Sequence, residues 1–387
     1  MRINGSVLQW ARKRAETSAP ESGFLKDFTA EQIEAWESGE VEPTFSQAIN
    51  LSKKLGIPFG YLFLSEKPKR SLSLPDLRTV RGEQPRIPSL GMMQVVDDAI
   101  RKQHWYSDLL KEQQRKPLDF VGSFSLEDKP DRVAADIRVR LGIDEQMRAE
   151  TIPSASAFLT ELVRRSESKG IVVLRSGTVC GNTHRVLNVH EFRGFALPDP
   201  IAPMIFINTK DVQVAQLFTW AHEIAHIWLN SSGVSLLDFS RKSKDQANRI
   251  EIRCNEIAAE VLVPTASFVH SWVKHLPADT NLQILRSRYR VSYLVVLRKA
   301  YDIGLVSESE FKAGLQKHYE TPLATKLKKK EGKEKGGGDF YNSLYARNSS
   351  VLTASVAEGF AAGNVLATEA CALLGVRLTV LGKLVAT

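Results

Sequence analysis

The strongest constraint on this chain is a helix with no outward face. Residues 211–230 read as one long helix that is apolar nearly all round. Such a helix belongs inside a protein, with other elements packed against every side. Set into it are His222, Glu223 and His226. Four residues apart on a helix, the two histidines project from one face on successive turns. A buried imidazole pair must satisfy its polar atoms, so this pair needs a partner brought to it by the fold.

The spacing itself names a partner. Two imidazole nitrogens so placed can meet one zinc ion, with Glu223 beside them in reach of a water; this is the H-E-x-x-H arrangement of zinc peptidases. A catalytic zinc needs a third protein ligand and an open position. The next helix, about 245–263 and stopped by Pro264, offers Glu251, Glu256 and Glu260. Its apolar stripe is Ile250, Cys254, Ile257, Ala258 and Val261. At about 100° per residue, Glu251 falls at the edge of that stripe, while Glu256 and Glu260 turn toward the outer face. The phase therefore selects Glu251, by a small margin over Glu260. Asn255, one turn on, is placed to orient a histidine or the carboxylate. In the expected chemistry the metal acidifies water and polarises a peptide carbonyl. Glu223 takes the water's proton and passes it to the leaving amine. His184, His190, Arg193 and the tyrosines remain open candidates for stabilising the oxyanion. Residues 203–208 directly precede the metal helix and are expected to offer a sheet edge to an extended substrate.

The rest of the chain frames this site. With 387 residues and 43% hydrophobic content, it is long enough for more than one domain. Residues 1–65 read as a small helical module. Thr29 with Gln32, and Thr44 with Gln47, form two capping boxes, and Gly39 and Gly56 are natural stops. Short helices with tight turns suit a helix-turn-helix bundle. Residues 66–150 read as a connector, Pro-, Ser- and Arg-rich over 67–91, followed by helices at 92–115 and 131–142. A helix at 154–169 and short strands at 170–174, 192–197 and 203–208 lead into the metal helix. The core of the expected peptidase thus spans 151–275, and 276–387 is a C-terminal helical region. The formal charge of +8 points weakly to nucleic acid, because segment 326–335 holds six Lys and two Glu and so supplies +4 alone. With Gly336, Gly337 and Gly338 it makes a solvated Lys/Gly linker over 326–338. Three scattered cysteines, no apolar run of membrane-spanning length and no secretory leader point to a reducing cytoplasmic setting and no membrane.

The text FINTKDVQVAQLFTWAHEIAHIWL (206–229), followed by IEIRCNEIAAEVLVP (250–264), resembles the ImmA/IrrE family of bacterial and phage metallopeptidases. Cys254 stands where the family usually has Ala. The resemblance implies His222, His226 and Glu251 as zinc ligands and Glu223 as catalytic base. It also implies a mostly helical α+β fold, with a zincin-like core and small sheet flanked by helical regions. The stretch IEAWESGEVEPTFSQAINLSKKLGIPFGYLF (33–63) resembles the back half of Xre-type helix-turn-helix domains, whereas residues 16–28 depart from that pattern. The family implies a protein substrate, a helix-turn-helix repressor or antitoxin-type regulator, in stress, mobile-element or defence responses. The alternative is a DNA-binding regulator or antitoxin-like binder whose peptidase-like domain senses or docks a partner.

Overall fold

A computed structural model gives the fold and describes residues 2–18, 27–67, 88–144, 154–231, 233–235, 246–320 and 340–385. Most of the expected connector at 67–91, the Lys/Gly linker at 326–338 and most of segment 16–28 lie outside these residues.

At the N-terminus, α1 (Gly5–Ser18), α2 (Ala30–Ser38), α3 (Phe45–Leu55) and a 3-10 turn (Phe59–Phe63) form a small bundle. Both expected capping boxes are made, and Gly39 and Gly56 end α2 and α3 with φ of 77° and 68°. Those left-handed angles cost glycine nothing and most other residues a steric penalty. Leu8, Ala11, Ile33, Trp36, Leu51, Leu55 and Leu62 fill the bundle's core. Leu90 joins them from the start of α4 (Leu90–Glu112), which runs on toward the central sheet.

That sheet has the order β1-β5-β4-β6, with β1 Val172–Ser176, β4 Gly194–Leu197, β5 Met204–Asn208 and β6 Gly233–Ser235. β1 and β5 are parallel; β4 is antiparallel to both β5 and β6. Side chains alternate across it, as strand geometry requires. Val173, Ala196, Ile205 and Ile207 enter one core, while Val172, Leu174, Phe195, Leu197, Met204 and Phe206 enter another. Both faces are covered, so the inner strands read as unbroken apolar runs. The second core is closed by α4 and by the four short C-terminal helices, Phe340–Asn348, Ser350–Ala361, Ala367–Leu374 and Leu378–Val385. Met204–Asn208 is therefore an inner strand, paired on both sides, and not the substrate-pairing edge that its place before the metal helix suggested.

The first core holds α5 (Pro130–Leu141), α6 (Ala155–Ser168), α7 (Gln213–Trp228) and α8 (Gln246–Leu262). From Gln216 to Trp228 every residue of α7 is buried. The helix lies against β4 and β5 and is enclosed by α5, α6 and α8. Its two tryptophans find fixed partners for their polar ends. Trp220 Nε1 donates to Ser166 Oγ at 3.1 Å, and Trp228 Nε1 donates to Asp136 Oδ2 at 2.8 Å. Phe120 stacks on Trp228 with centroids 4.5 Å apart. Helices Ala278–Tyr289, Tyr293–Asp302 and Glu308–Glu320 extend this core. A polar hairpin, β2 (Thr178–Val179) with β3 (Asn182–Val186), a short helix Thr265–His270, and β6 all escaped the pattern analysis. β2, β6 and the short helix are too short to develop a period, and β3 is mostly exposed and polar, with no apolar run to mark it. No helix among the described residues is long and apolar enough to cross a membrane.

Ser166 is fully buried, accepts from Trp220 and donates to Leu162 O at 2.8 Å. Ser166→Ala leaves the indole N–H of the metal helix unsatisfied, and chemical denaturation is expected to show a loss of about 1–3 kcal/mol.

Candidate metal centre

His222 and His226 sit on α7, and Glu251 sits on α8, two helices packed directly against each other. The phase argument is met in part. Cys254, Ile257, Ala258, Val261 and Leu262 are fully buried, and Glu251 lies at the stripe's edge with 20% of its side chain exposed. From that edge its carboxylate reaches both imidazoles: Oε2 is 3.1 Å from His222 Nε2 and Oε1 is 3.3 Å from His226 Nε2. The two Nε2 atoms are 3.0 Å apart.

These distances fit a shared cation. Ligands about 2.0–2.2 Å from a tetrahedral zinc stand roughly 3.3–3.5 Å from one another. The far side of each ring supports the same geometry. His222 Nδ1–H donates to Asn255 Oδ1 at 3.0 Å. An amide oxygen only accepts, so this bond places the ring's proton on Nδ1 and leaves the Nε2 lone pair facing Glu251. His226 Nδ1 meets Ser231 Oγ at 2.9 Å. Three lone-pair donors thus converge in a buried place, which favours positive charge. Burial opposes charge on His226, but Cys254 and Glu251 beside it raise its pKa well above the ordinary imidazole value. Burial likewise pushes the Glu251 carboxyl up, yet His226 and His222 outweigh it and hold it well below the usual carboxylate range. A bound divalent ion satisfies the same demand with both imidazoles neutral. His222, His226 and Glu251 form a metal-binding group, their ligand atoms all within 4.8 Å of one another.

Glu223 is fully buried on α7, and Gly194 at the start of β4 packs against its carboxylate. Asn255, which the sequence offers to either a histidine or the carboxylate, meets the outer side of His222. The other two glutamates do not join. Glu256 pairs with Arg253 at 3.1 Å on the surface. Glu260 is not simply a solvent-facing helix former: it accepts from Thr265 N at 2.8 Å and Thr265 Oγ1 at 2.7 Å and pairs with Lys299. His184 and His190 are exposed, and β2 and the segment after β3 pack through Val179 and Leu187 into the opposite core. Arg193 is engaged with Asp211 at 3.0 Å.

Ser231 is the site residue that sequence reasoning missed. Its amide also donates to His226 O at 2.9 Å. The chain bends back at Asn230, whose φ is 47°, a left-handed conformation that asparagine adopts more readily than most residues. A hydroxyl just past the helix was the available signal, but the turn that aims it is tertiary.

Residues 166–301 match a family model described as the IrrE N-terminal-like domain, Peptidase_M78. No curated protein matches the chain. The matched span contains both helices of the His-His-Glu group, and the protein is a metallopeptidase.

Elemental analysis of purified variants is expected to find about one metal ion per chain in the wild type and in Glu256→Ala, and little in Glu251→Ala. Asn255→Ala and Ser231→Ala are expected to weaken metal affinity about 10–100-fold while keeping the fold. Metal loss in Glu256→Ala with retention in Glu251→Ala would reverse the ligand assignment.

Proposed function

We propose that this metallopeptidase is a zinc endopeptidase that cuts a helix-turn-helix repressor or antitoxin-type regulator in a stress, mobile-element or defence response. One arrangement carries the reading: three donors converge from two packed helices, with a buried glutamate one residue along from the first histidine. Zinc held by His222, His226 and Glu251 supplies Lewis acidity, which polarises a peptide carbonyl and acidifies water. Glu223 is the general base; it accepts the water's proton and delivers it to the leaving amine nitrogen. Asn255 holds His222 in the tautomer that the ion needs, and Ser231 orients the His226 ring. An extended substrate has no access to β5, which is paired on both sides; of the two edge strands, β1 packs against helix Phe340–Asn348, and β6 is the edge we assign to the substrate. The class of substrate rests on the resemblance to the ImmA/IrrE family.

In this reading residues 1–65 form the Xre-like module and 66–150 a connector and helical region. Residues 151–275 form the peptidase and 276–387 a helical tail. The module serves protein recognition more than DNA. Glu31, Glu34 and Glu40 are exposed on and just after α2, and Arg12 pairs with Glu37 at 2.7 Å. A DNA reader presents cations to phosphates, and this surface presents carboxylates. The three free cysteines agree with the cytoplasmic setting we assign.

Glu223→Gln keeps side-chain volume but cannot accept the proton, so cleavage is expected to fall by roughly 10²–10⁴-fold with fold and metal retained. The same variant, co-expressed as a trap, identifies the substrate by what stays bound. Full activity in it would exclude the mechanism.

Deleting residues 1–65 is expected to leave metal content unchanged and to slow cleavage of the trapped regulator. Binding of the intact chain to DNA, measured across salt, is expected to be weak at physiological ionic strength. Tight, sequence-specific binding there would favour the alternative of a DNA-binding regulator with a docking or sensing domain.

A further inference from the structure

Gly194 opens β4 and meets the face of α7 that carries Thr219 and Glu223, two residues one turn apart. A Cβ built on Gly194 stands 2.6 Å from the Thr219 γ-methyl, 2.7 Å from Glu223 Oε1 and 2.7 Å from the Phe206 carbonyl oxygen. Three such contacts at once are far inside van der Waals separation. Gly194 does not have a left-handed φ, so the demand for glycine here is one of space and not of backbone conformation.

The surroundings decide what would yield. Gly194 is held in the sheet between Ile207 of β5 and Ser235 of β6, so the strand cannot simply back away. The Phe206 oxygen belongs to an inner strand. Thr219 is buried, and its β-branched side chain is stiff at χ1. The helix beneath is pinned by the Trp220 and Trp228 hydrogen bonds. Among the three obstacles, only the Glu223 carboxylate is the end of a flexible side chain. None of the three atoms belongs to His222, His226 or Glu251.

We infer that Gly194 is a positioning residue for peptide hydrolysis: its missing side chain lets β4 back directly onto the Glu223 carboxylate and hold it in place. The inference rests on Glu223 being the general base. A side chain at position 194 pushes the carboxylate out of register while leaving the metal ligands untouched.

The test uses zinc-loaded full-length protein and acetohydroxamate, a chelator whose hydroxyl proton is taken up by a neighbouring carboxylate. Its affinity, measured calorimetrically, reports the position of Glu223 without any peptide substrate. In Gly194→Ala we expect unchanged zinc stoichiometry and an affinity lowered about tenfold or more, the effect of one charge-assisted hydrogen bond, as in Glu223→Gln. Thr219→Ala removes the tightest of the three contacts. If Gly194→Ala fails to fold or to hold zinc, Thr219→Ala and the Gly194→Ala/Thr219→Ala double variant carry the comparison. The double variant is expected to bind acetohydroxamate weakly and Thr219→Ala to bind it like wild type. Wild-type affinity in Gly194→Ala, or a double variant equal to Thr219→Ala, overturns the inference if Glu223→Gln has lost affinity. Wild-type affinity in Glu223→Gln itself overturns instead the general-base reading on which the inference rests.

Discussion

Two imidazoles and a carboxylate meet with their donor atoms 3.0–3.3 Å apart inside an otherwise apolar core. Such a convergence is unfavourable unless something positive sits at its centre, since buried lone pairs repel one another and lack water to relieve them. Most of the peptidase region can be understood as the frame that imposes it. α7 brings both histidines to one face, and α8 brings the carboxylate to meet them. Asn255 and Ser231 hold the far nitrogens of the two rings, so that both Nε2 atoms face inward.

Holding that frame still is the work of the surrounding packing. α7 is buried from Gln216 to Trp228 and has no solvent-facing side through which to relax. Ser166 and Asp136 take the only strongly directional groups of its two tryptophans. The sheet beneath it is rigid because both faces are covered, one by the helices of the metal core and the other by α4 and the C-terminal helices. Those last helices stand far from the metal ligands in sequence, yet they close the sheet face opposite the metal core; β5 itself is interior because β1 and β4 pair with its two sides.

Charge is distributed unevenly over this architecture. The chain as a whole is basic, but half of that excess lies in segment 326–335, and the N-terminal bundle exposes glutamates along and after α2. Overall pI therefore says little about what the N-terminal surface meets, because partners respond to the local field within about a Debye length of 8–10 Å.

The metal helix, its histidine pair and both capping boxes were legible in the sequence because each is a local pattern. An i,i+4 spacing on a helix, or a hydroxyl three residues before a glutamine, fixes geometry within one turn. The selection of Glu251 was legible from helical phase, though narrowly, and Glu260 needed the structure: Thr265 and Lys299 draw it into a partly buried network that no period announces. The strand at 203–208 was legible as a strand but not as an inner one, since strand order depends on which segments pair, and β1 and β4 are brought to it from elsewhere in the chain. Ser231 and Gly194 were silent for a related reason. A serine after a helix and a glycine before a strand are ordinary in any sequence. What gives them meaning is a left-handed turn at Asn230 and the close approach of β4 to Glu223. By itself the sequence determined which chemistry the chain can hold, because that chemistry resides in residue types at helical spacing. Only the tertiary structure decided which hydroxyl and glycine stand beside it, because those choices depend on distances between segments that the local pattern does not relate.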